Sequence, residues 1–459
     1  MSNLKNEAAP RELQLHPKTL NRTILALAIP TIVANLLTTI VLFSNTIFIG
    51  WLRDDTALAA VGLSNRFLWI ANGLFRAVAI ATTAMVAHFL GKKDVETAKR
   101  TAAQSLSVGV LVAVVVTAIG IPLSDDLLML IGAESEVVRQ GSLYMNIILA
   151  TSVLSLPMFV AGGVMLGAGD TRTPMVISLA TNVWNVVAGY LLIFGPGPLP
   201  ELGLVGAALA TSTARALGGC LALGVLFTGR TVLRVKPRQL LSWDGYLARR
   251  IMRLALPNAG EQAVGRMGSI LFMSILTALG TVTLAAHQVA EQLEALSFMA
   301  GSGFMVVATT LVGQSMGAGR EDMAELSIRR TLLFACGVMG TMAICFALFG
   351  QQMVVIFGAN PKVLNLAGRA LQIGALEQVP LAVHMVLAGG LRGAGDTRTP
   401  MYVTMFGVLF FRVAVVYLFA ITLGWGLAGV WLGTSVDWIA RAALMVVLFR
   451  RGRWKSVRV

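Results

Sequence analysis

The sequence predicts an all-α membrane protein of about twelve transmembrane helices in two six-helix lobes. Hydrophobic residues make up 56% of the 459 residues and charged residues 13%, and the mean hydropathy is +0.77. An ordinary soluble domain has roughly 45–50% apolar and ~25% charged residues, so a water-soluble globular enzyme is excluded. The apolar residues also form long blocks, and about 20 such residues in a helix span a bilayer.

Twelve apolar blocks are long enough to span a membrane, and each predicts one helix. Their centres lie near Ile40, Ile80, Val114, Leu154, Leu191, Leu221, Leu271, Met305, Met342, Ala382, Ala414 and Ala443. A transmembrane barrel would instead show alternating segments of about ten residues. The first block has no small-residue cleavage site, so we expect a retained first helix and not a secretory signal.

The basic residues predict the orientation of these helices. If the twelve helices alternate, most lysines and arginines fall on the side of the N-terminus, and only Arg53, Arg139, Lys362 and Arg369 fall opposite. This is the positive-inside pattern, so we expect an inner-membrane protein with both termini in the cytoplasm. The net charge of +14 is then a topology signal. We expect no nucleic-acid partner, and contact with anionic membrane lipid.

An internal repeat divides the chain. The segment Gly167–Met175, G-A-G-D-T-R-T-P-M, recurs unchanged at Gly393–Met401. Six helices are an even number, so both halves enter the membrane in the same direction and form a parallel repeat. We therefore predict an N-terminal lobe over 1–228, a basic cytoplasmic linker over 229–253 and a C-terminal lobe over 254–459. Two such bundles facing one another favour an alternating-access transporter.

The repeated segment has the chemistry of a helix junction. Its glycines permit a left-handed turn, and Asp170 and Asp396 can each cap the helix that follows. We interpret it as a structural hinge and not as a substrate site. Pro30 in the first helix matches Pro257 in the seventh, and both are further hinge candidates.

With these motifs, the chain resembles the multidrug and toxic-compound extrusion (MATE) family from Pro30 to the twelfth helix. The supporting stretches are the doubled junction, Leu279–Thr281, Leu284–Ala286, Leu296–Met299, Leu311–Gln314 and Tyr190–Gly195. The resemblance implies a V-shaped pair of lobes that exports small organic cations or amphipathic drugs in exchange for H⁺ or Na⁺. It also implies a monomer without a cofactor, and not an enzyme.

The first lobe departs from the family pattern. Many prokaryotic members carry an Asp near the end of helix one and another in helix five, whereas this chain has Asn45 in the first context and Gly189 in the second. The polar candidates for substrate binding that remain in this lobe are Asn45, Asn182, Asn185 and Thr211.

Carboxylates inside the apolar blocks are confined to the second half. An ionisable residue in a membrane helix is costly, which makes each one a candidate functional residue. They are Glu261, Glu291, Glu294, Glu377 and Asp437. A buried carboxylate can be protonated in one state and charged in another, so we predict cation coupling by Glu261 first, then Glu377, and then Glu294 and Glu291. The alternative for each is an ion pair with Arg266, Arg412 or Arg441.

Flexible and titratable side chains on helices eight and ten complete the substrate-binding candidates. Met299, Met305 and Met385 could adapt to dissimilar ligands, although packing explains most methionines equally well. His287 could bind substrate or relay protons, or could simply hydrogen-bond a neighbouring helix.

Two other functions stay open. A lipid or lipid-linked precursor flippase of the same superfamily would line its pathway with more arginines, and the blocks offer Arg66, Arg76, Arg215, Arg266, Arg412 and Arg441. An intramembrane enzyme is more remote. The chain has no H-E-x-x-H motif and no P-loop, we expect no metal, and His287 with Glu291 is only a weak metal-like pair.

Overall fold

A computed structural model describes residues 16–52, 54–196, 200–229, 233–240, 242–358 and 360–457. Regular structure in these residues is helical, and they contain no β-strand. The predicted all-α class is therefore confirmed.

The described residues of the first half of the chain form nine helices. They are α1 (Leu20–Trp51), α2 (Asp55–Gly91), α3 (Val95–Gly120), α4 (Ser124–Leu130), α5 (Ser135–Ala150), α6 (Ser152–Gly167), α7 (Arg172–Phe194), α8 (Gly203–Thr228) and the short α9 (Pro237–Leu240).

The described residues of the second half form eight further α-helices, several of which belong to interrupted spans. They are α10 (Gly245–Ala278), α11 (Thr281–Gly317), α12 (Glu321–Val354), α13 (Pro361–Gly374), α14 (Gln378–Gly393), α15 (Arg398–Phe406), α16 (Ala414–Tyr417) and α17 (Gly426–Arg450). A 3₁₀ turn, Ala375–Glu377, separates α13 from α14, and π-helical segments over Gly407–Val413 and Leu418–Thr422 flank α16.

Among the described residues, ten spans are long and apolar enough to cross a membrane, and the pair α5 and α6, bent by 56°, can form an eleventh. Helix α10 has the length of a further span but carries Glu261, Gln262 and Arg266. The prediction of about twelve transmembrane helices is thus confirmed, and the chain is a multi-pass membrane protein. The breaks within three of the spans, those of α5–α6, α13–α14 and α15–α16, were not predicted.

The chain forms two compact units. The first contains Val33–Ala255, and the second contains residues 16–32 together with 256–457. The start of α1 therefore belongs to the second unit, where Arg330 Nη1 on α12 donates a hydrogen bond of 2.8 Å to Asn21 Oδ1.

The segment predicted as a linker, 229–253, is described except for residues 230–232 and 241. Its described residues belong to the first unit. Leu233 and Val235 are fully buried. Ser107 Oγ on α3 donates a hydrogen bond of 2.8 Å to the carbonyl of Leu240, and the amide of Asp244 donates one of 3.0 Å to Gln104 Oε1. These contacts hold the segment against α3.

The two units repeat the same close helix contact. Thr83 Oγ1 on α2 donates to the carbonyl of Gly163 on α6, and Thr309 Oγ1 on α11 donates to the carbonyl of Gly389 on α14, both at 3.0 Å. A Cβ at Gly163 would lie 2.5 Å from the Ala79 carbonyl oxygen. Glycine is therefore required where these helices touch backbone to backbone.

The duplicated junction also has one geometry in both units. Asp170 accepts hydrogen bonds from the Thr173 amide (3.0 Å) and hydroxyl (2.6 Å), and Asp396 accepts the same pair from Thr399. Each aspartate thus binds the first turn of the next helix. Gly169 supplies the left-handed turn before Asp170, with a φ of 82°.

Candidate functional site

A cavity of about 120 Å³ lies inside the second unit. Its lining comes from α10, α11, α17, the 3₁₀ turn before α14 and the π-helical segment after α15. The lining residues are Ser269, Phe272, Met273, His287, Glu291, Glu294, Glu377, Arg412, Val430, Trp431, Thr434 and Trp438. Three of the four predicted coupling carboxylates are therefore brought together here.

Helix α11 supplies three polar side chains to one wall of the cavity. His287, Glu291 and Glu294 follow one another at spacings of four and three residues, which places them on one face of the helix. His287 Nε2 lies 3.7 Å from Glu291 Oε2, and the Glu291 side chain is 60% exposed. The imidazole packs against the rings of Phe272 and Trp431. Glu291 therefore lies at the open part of this wall.

Glu377 lies at the break between α13 and α14. It ends the 3₁₀ turn and immediately precedes α14, and Pro380 in the first turn of α14 needs no amide donor there. The residue is only 1% exposed. A carboxylate at a helix N-terminus is stabilised by the helix dipole. The start of α14 after the 3₁₀ turn is therefore a favourable position for an acidic side chain.

Glu294 and Glu377 meet in the cavity as a carboxyl pair. Both side chains line the cavity together with Thr434 on α17, and Glu377 Oε2 is buried without a hydrogen-bond partner among the described residues. Two carboxylates that share one site repel one another when both are charged, so such a pair favours holding a proton.

Arg412 brings a positive charge to the same cavity. It lies in the π-helical segment Gly407–Val413, and π-helical turns are frequent at functional sites. Its Nε donates 2.7 Å to Asp437 Oδ2, and its guanidinium lies 5.1 Å above the Trp438 ring. Its buried Nη2 has no hydrogen-bond partner among the described residues.

Asp437 is fully engaged in ion pairs with Arg412 and Arg441. It is fully buried, and it accepts from Arg441 Nε at 2.6 Å and Arg441 Nη2 at 2.7 Å in addition to Arg412. The carboxylate therefore neutralises buried guanidinium groups, which was the alternative considered for membrane carboxylates.

Glu261 does not line the cavity. Its Oε2 accepts from Arg392 Nη2 at 2.7 Å, and its Oε1 accepts from Thr404 Oγ1 at 3.0 Å. The Arg392 and Glu261 side chains are 9% and 11% exposed. The ion pair that the sequence left open as an alternative thus exists, but with Arg392 and not with the arginines considered.

The other predicted binding residues lie elsewhere, apart from His287. Asn45, Asn182, Asn185 and Thr211 belong to the first unit, and the methionines Met299, Met305 and Met385 do not line the cavity. Met305 Sδ accepts from Arg392 Nη1 at 3.0 Å. Asn185 is buried, and its Oδ1 has no hydrogen-bond partner in the described part of the chain.

Sequence reasoning missed Trp431 and Thr434 as site residues, and it considered Arg412 only as an ion-pair partner or as one of the arginines available to a flippase pathway. One signal was present, because Arg412 is itself an arginine within an apolar block. In the ranges that the structure describes, three or more His, Cys, Asp or Glu side chains do not converge as metal ligands. The site is therefore organised around carboxyl, imidazole and guanidinium groups.

Known proteins resemble the chain over its whole length. It is 30% identical over 438 residues to the "Probable multidrug resistance protein NorM" of Thermotoga maritima, which covers 95% of this chain and 94% of that protein. It is 26% identical over 440 residues to the "Multidrug resistance protein MdtK" of Edwardsiella ictaluri, covering 94% and 95%. A solved outward-facing multidrug resistance MATE family transporter of the MOP superfamily has a TM-score of 0.91 at 22% identity, covering 98% of this chain and 100% of that one.

The model of the MatE family matches the chain twice, at residues 30–191 and 257–418. Each match falls in one half of the internal repeat, and together they cover most of the chain. The protein is thus a transporter and not an enzyme, and it belongs to the MATE family of multidrug efflux transporters.

Proposed function

We propose that this MATE transporter is a secondary active exporter of amphipathic cationic or aromatic compounds, driven by the entry of a cation. The observation that carries the proposal is the placement of Glu294 and Glu377 in the wall of one cavity of the second unit. The names of the relatives, multidrug resistance proteins, support the substrate class.

The carboxyl pair supports H⁺ as the coupling ion, with Na⁺ as the alternative. A proton between Glu294 and Glu377 neutralises part of the negative charge, and its release leaves two adjacent carboxylates that attract a cation. Arg412 already places a fixed positive charge beside the pair. We infer that Glu291, at the open part of the cavity wall, passes the proton to and from water.

For Glu261 we propose a structural role instead of the coupling role that the sequence suggested. Its ion pair with Arg392 joins α10 to α14, and its hydrogen bond with Thr404 joins α10 to α15. A carboxylate with both oxygens occupied in this way has little freedom to exchange an ion.

We further propose that the protein acts as a monomer in the cytoplasmic membrane with both termini in the cytoplasm. The asymmetric distribution of basic residues supports this orientation. Membrane lipid is then a partner that surrounds the protein.

Efflux from whole cells tests the coupling role. Cells carrying the protein should accumulate less of a fluorescent organic cation than cells without it, and Glu377→Gln should abolish the difference because glutamine cannot release a proton. Glu136→Gln, at an exposed ion pair of the first unit, is the matched control and should keep the efflux. Undiminished efflux by a normally expressed Glu377→Gln protein would remove Glu377 from the mechanism.

A further inference from the structure

Arg412 carries a positive charge that its ion-pair partner does not fully neutralise. Asp437 accepts hydrogen bonds from Arg441 Nε at 2.6 Å and Arg441 Nη2 at 2.7 Å, and it accepts one from Arg412 Nε at 2.7 Å. Arginine keeps its proton in proteins, so two positive charges and one negative charge leave this group of three residues at +1. Because Arg441 supplies two of the three hydrogen bonds, the excess charge belongs chiefly to Arg412.

This excess charge borders the cavity of the second unit. Arg412 lines the cavity, whereas Arg441 does not. The guanidinium carbon lies 5.1 Å from the centre of the Trp438 ring and 5.9 Å from that of Phe272, and both rings also line the cavity. Arg412 Nη2 is buried and has no hydrogen-bond partner in the described ranges. One donor of the guanidinium is therefore left over for a group inside the cavity.

The same wall contains an acceptor that also lacks a partner. Glu377 is 1% exposed, and its Oε2 is buried without a hydrogen-bond partner in the part of the chain that the structure describes. Buried polar groups in native proteins are nearly always hydrogen-bonded. An unsatisfied guanidinium donor and an unsatisfied carboxylate acceptor in one cavity indicate that Arg412 serves as the counter-charge of the carboxyl pair when the pair loses its proton.

The cavity wall has few other charged or titratable groups. The Glu291 side chain is 60% exposed, so water screens its charge. His287, one turn earlier on α11, lies 3.7 Å from Glu291 Oε2. The lining residues of α10 and α17 are uncharged. Among the described lining residues, Arg412 is therefore the one with a permanent positive charge.

A permanent positive charge discriminates between the two candidate coupling ions. A single carboxyl group binds a proton by itself, because a covalent O–H bond forms. Na⁺ is a hard cation that must exchange hydration water for several oxygen ligands at once, so its binding depends on the summed negative charge of the site. The cavity of about 120 Å³ has room for several water molecules, so its size does not exclude Na⁺. The charge of Arg412 is what weakens Na⁺ binding.

We propose that Arg412 determines the coupling ion. Its guanidinium acts as a tethered counter-cation that excludes Na⁺ from the pair of Glu294 and Glu377 and leaves H⁺ as the ion bound. The inference rests on the proposed function, because it assigns the ion of the same cavity. Once the charge at residue 412 is removed, Na⁺ should bind there, with the oxygens of Glu294, Glu377 and Thr434 as its available ligands.

The thermal stability of the purified full-length protein in a neutral detergent tests this role without a transport assay. NaCl is compared with choline chloride at equal concentration, in alkaline solution to reduce competition from protons. A ligand that binds only the folded protein raises the unfolding midpoint as its concentration rises. The wild type should respond equally to both salts, whereas Arg412→Gln should gain a rise specific to Na⁺. Its affinity for Na⁺ should exceed that of the wild type by about tenfold or more, because a unit charge a few ångströms away is removed.

Three further variants show whether the charge and the cavity are responsible. Arg412→Lys keeps a positive charge and should stay unresponsive to Na⁺. Arg139→Gln removes an arginine from an exposed ion pair of the first unit and should respond like the wild type. Adding Glu377→Gln to Arg412→Gln removes a carboxylate from the site and should abolish the rise specific to Na⁺.

A rise specific to Na⁺ in the wild type or in Arg412→Lys would overturn the proposal. Its absence in Arg412→Gln, or its persistence in the double variant, would do the same. Arg412→Gln should fold, because Asp437 keeps both hydrogen bonds from Arg441. If it does not, Arg412→Met, which retains an apolar stem, takes its place, and the wild-type response still decides. Vesicle transport that responds to neither gradient, together with the expected Na⁺ responses, would refute the proposed function and leave the role of Arg412 intact.

Discussion

At the scale of single residues, the second unit contains two kinds of membrane carboxylate. Asp437 and Glu261 have arginine partners within 2.7 Å, whereas Glu294 and Glu377 lie together in the cavity wall. The sequence predicts all four within the membrane, but it cannot rank them. Glu261 ranked first because it follows Pro257 by one turn, yet its partner Arg392 lies 131 residues later, and no local pattern reveals such a contact.

Asp437→Asn should destabilise the protein strongly. Removing one partner of a buried ion pair typically costs about 3–5 kcal/mol because the other charge is left uncompensated, and here both Arg412 and Arg441 would lose their counter-charge. Thermal unfolding in detergent measures the effect. Glu136→Gln is the comparison, and it should change the midpoint little because its ion pair is exposed. An Asp437→Asn midpoint equal to the wild type would contradict the assignment of Asp437 to neutralising the two arginines.

At the scale of elements, the apolar blocks predict the helices well and their interruptions poorly. The block near Leu154 is continuous in hydropathy, yet the structure bends it by 56° between α5 and α6. The hydroxyl of Thr151 at the bend bonds the carbonyls of Ile147 and Ile148, which competes with the helical ladder. Threonine occurs often in unbroken helices as well, so its presence alone gave no signal. The break before α14 had a sequence signal, because Pro380 lies in the first turn.

The repeated glycine contact gives an element-scale prediction. Gly163→Ala should destabilise the first unit by about 1–3 kcal/mol, as overpacking does, because its Cβ would meet the backbone of α2 at 2.5 Å. The neighbouring Gly162→Ala should be neutral or slightly stabilising, since a Cβ there has nothing within 4 Å and alanine favours the helix. Unfolding in detergent compares the two variants. Equal stability would show that α2 and α6 do not depend on this contact.

At the scale of the whole molecule, the internal repeat preserves backbone contacts and separates charge. Both units keep the same threonine–glycine contact and the same aspartate-capped junction. The membrane carboxylates, however, occur only in the second half, and Arg76 and Arg215 lie in the first without an acid. This difference is visible in the sequence, because finding it requires only a count of the charged residues within the apolar blocks. The grouping of carboxyl, imidazole and guanidinium in one cavity depends on non-local packing, so it needed the structure.

Transport in reconstituted vesicles with separately imposed H⁺ and Na⁺ gradients tests the central claim most directly. The wild type should exchange a fluorescent organic cation for H⁺ when a proton gradient is imposed. Glu294→Gln and Glu377→Gln should each abolish that exchange, and Glu136→Gln should retain it. Proton-driven exchange that continues in both cavity variants would contradict the account, as would wild-type exchange that responds to neither gradient.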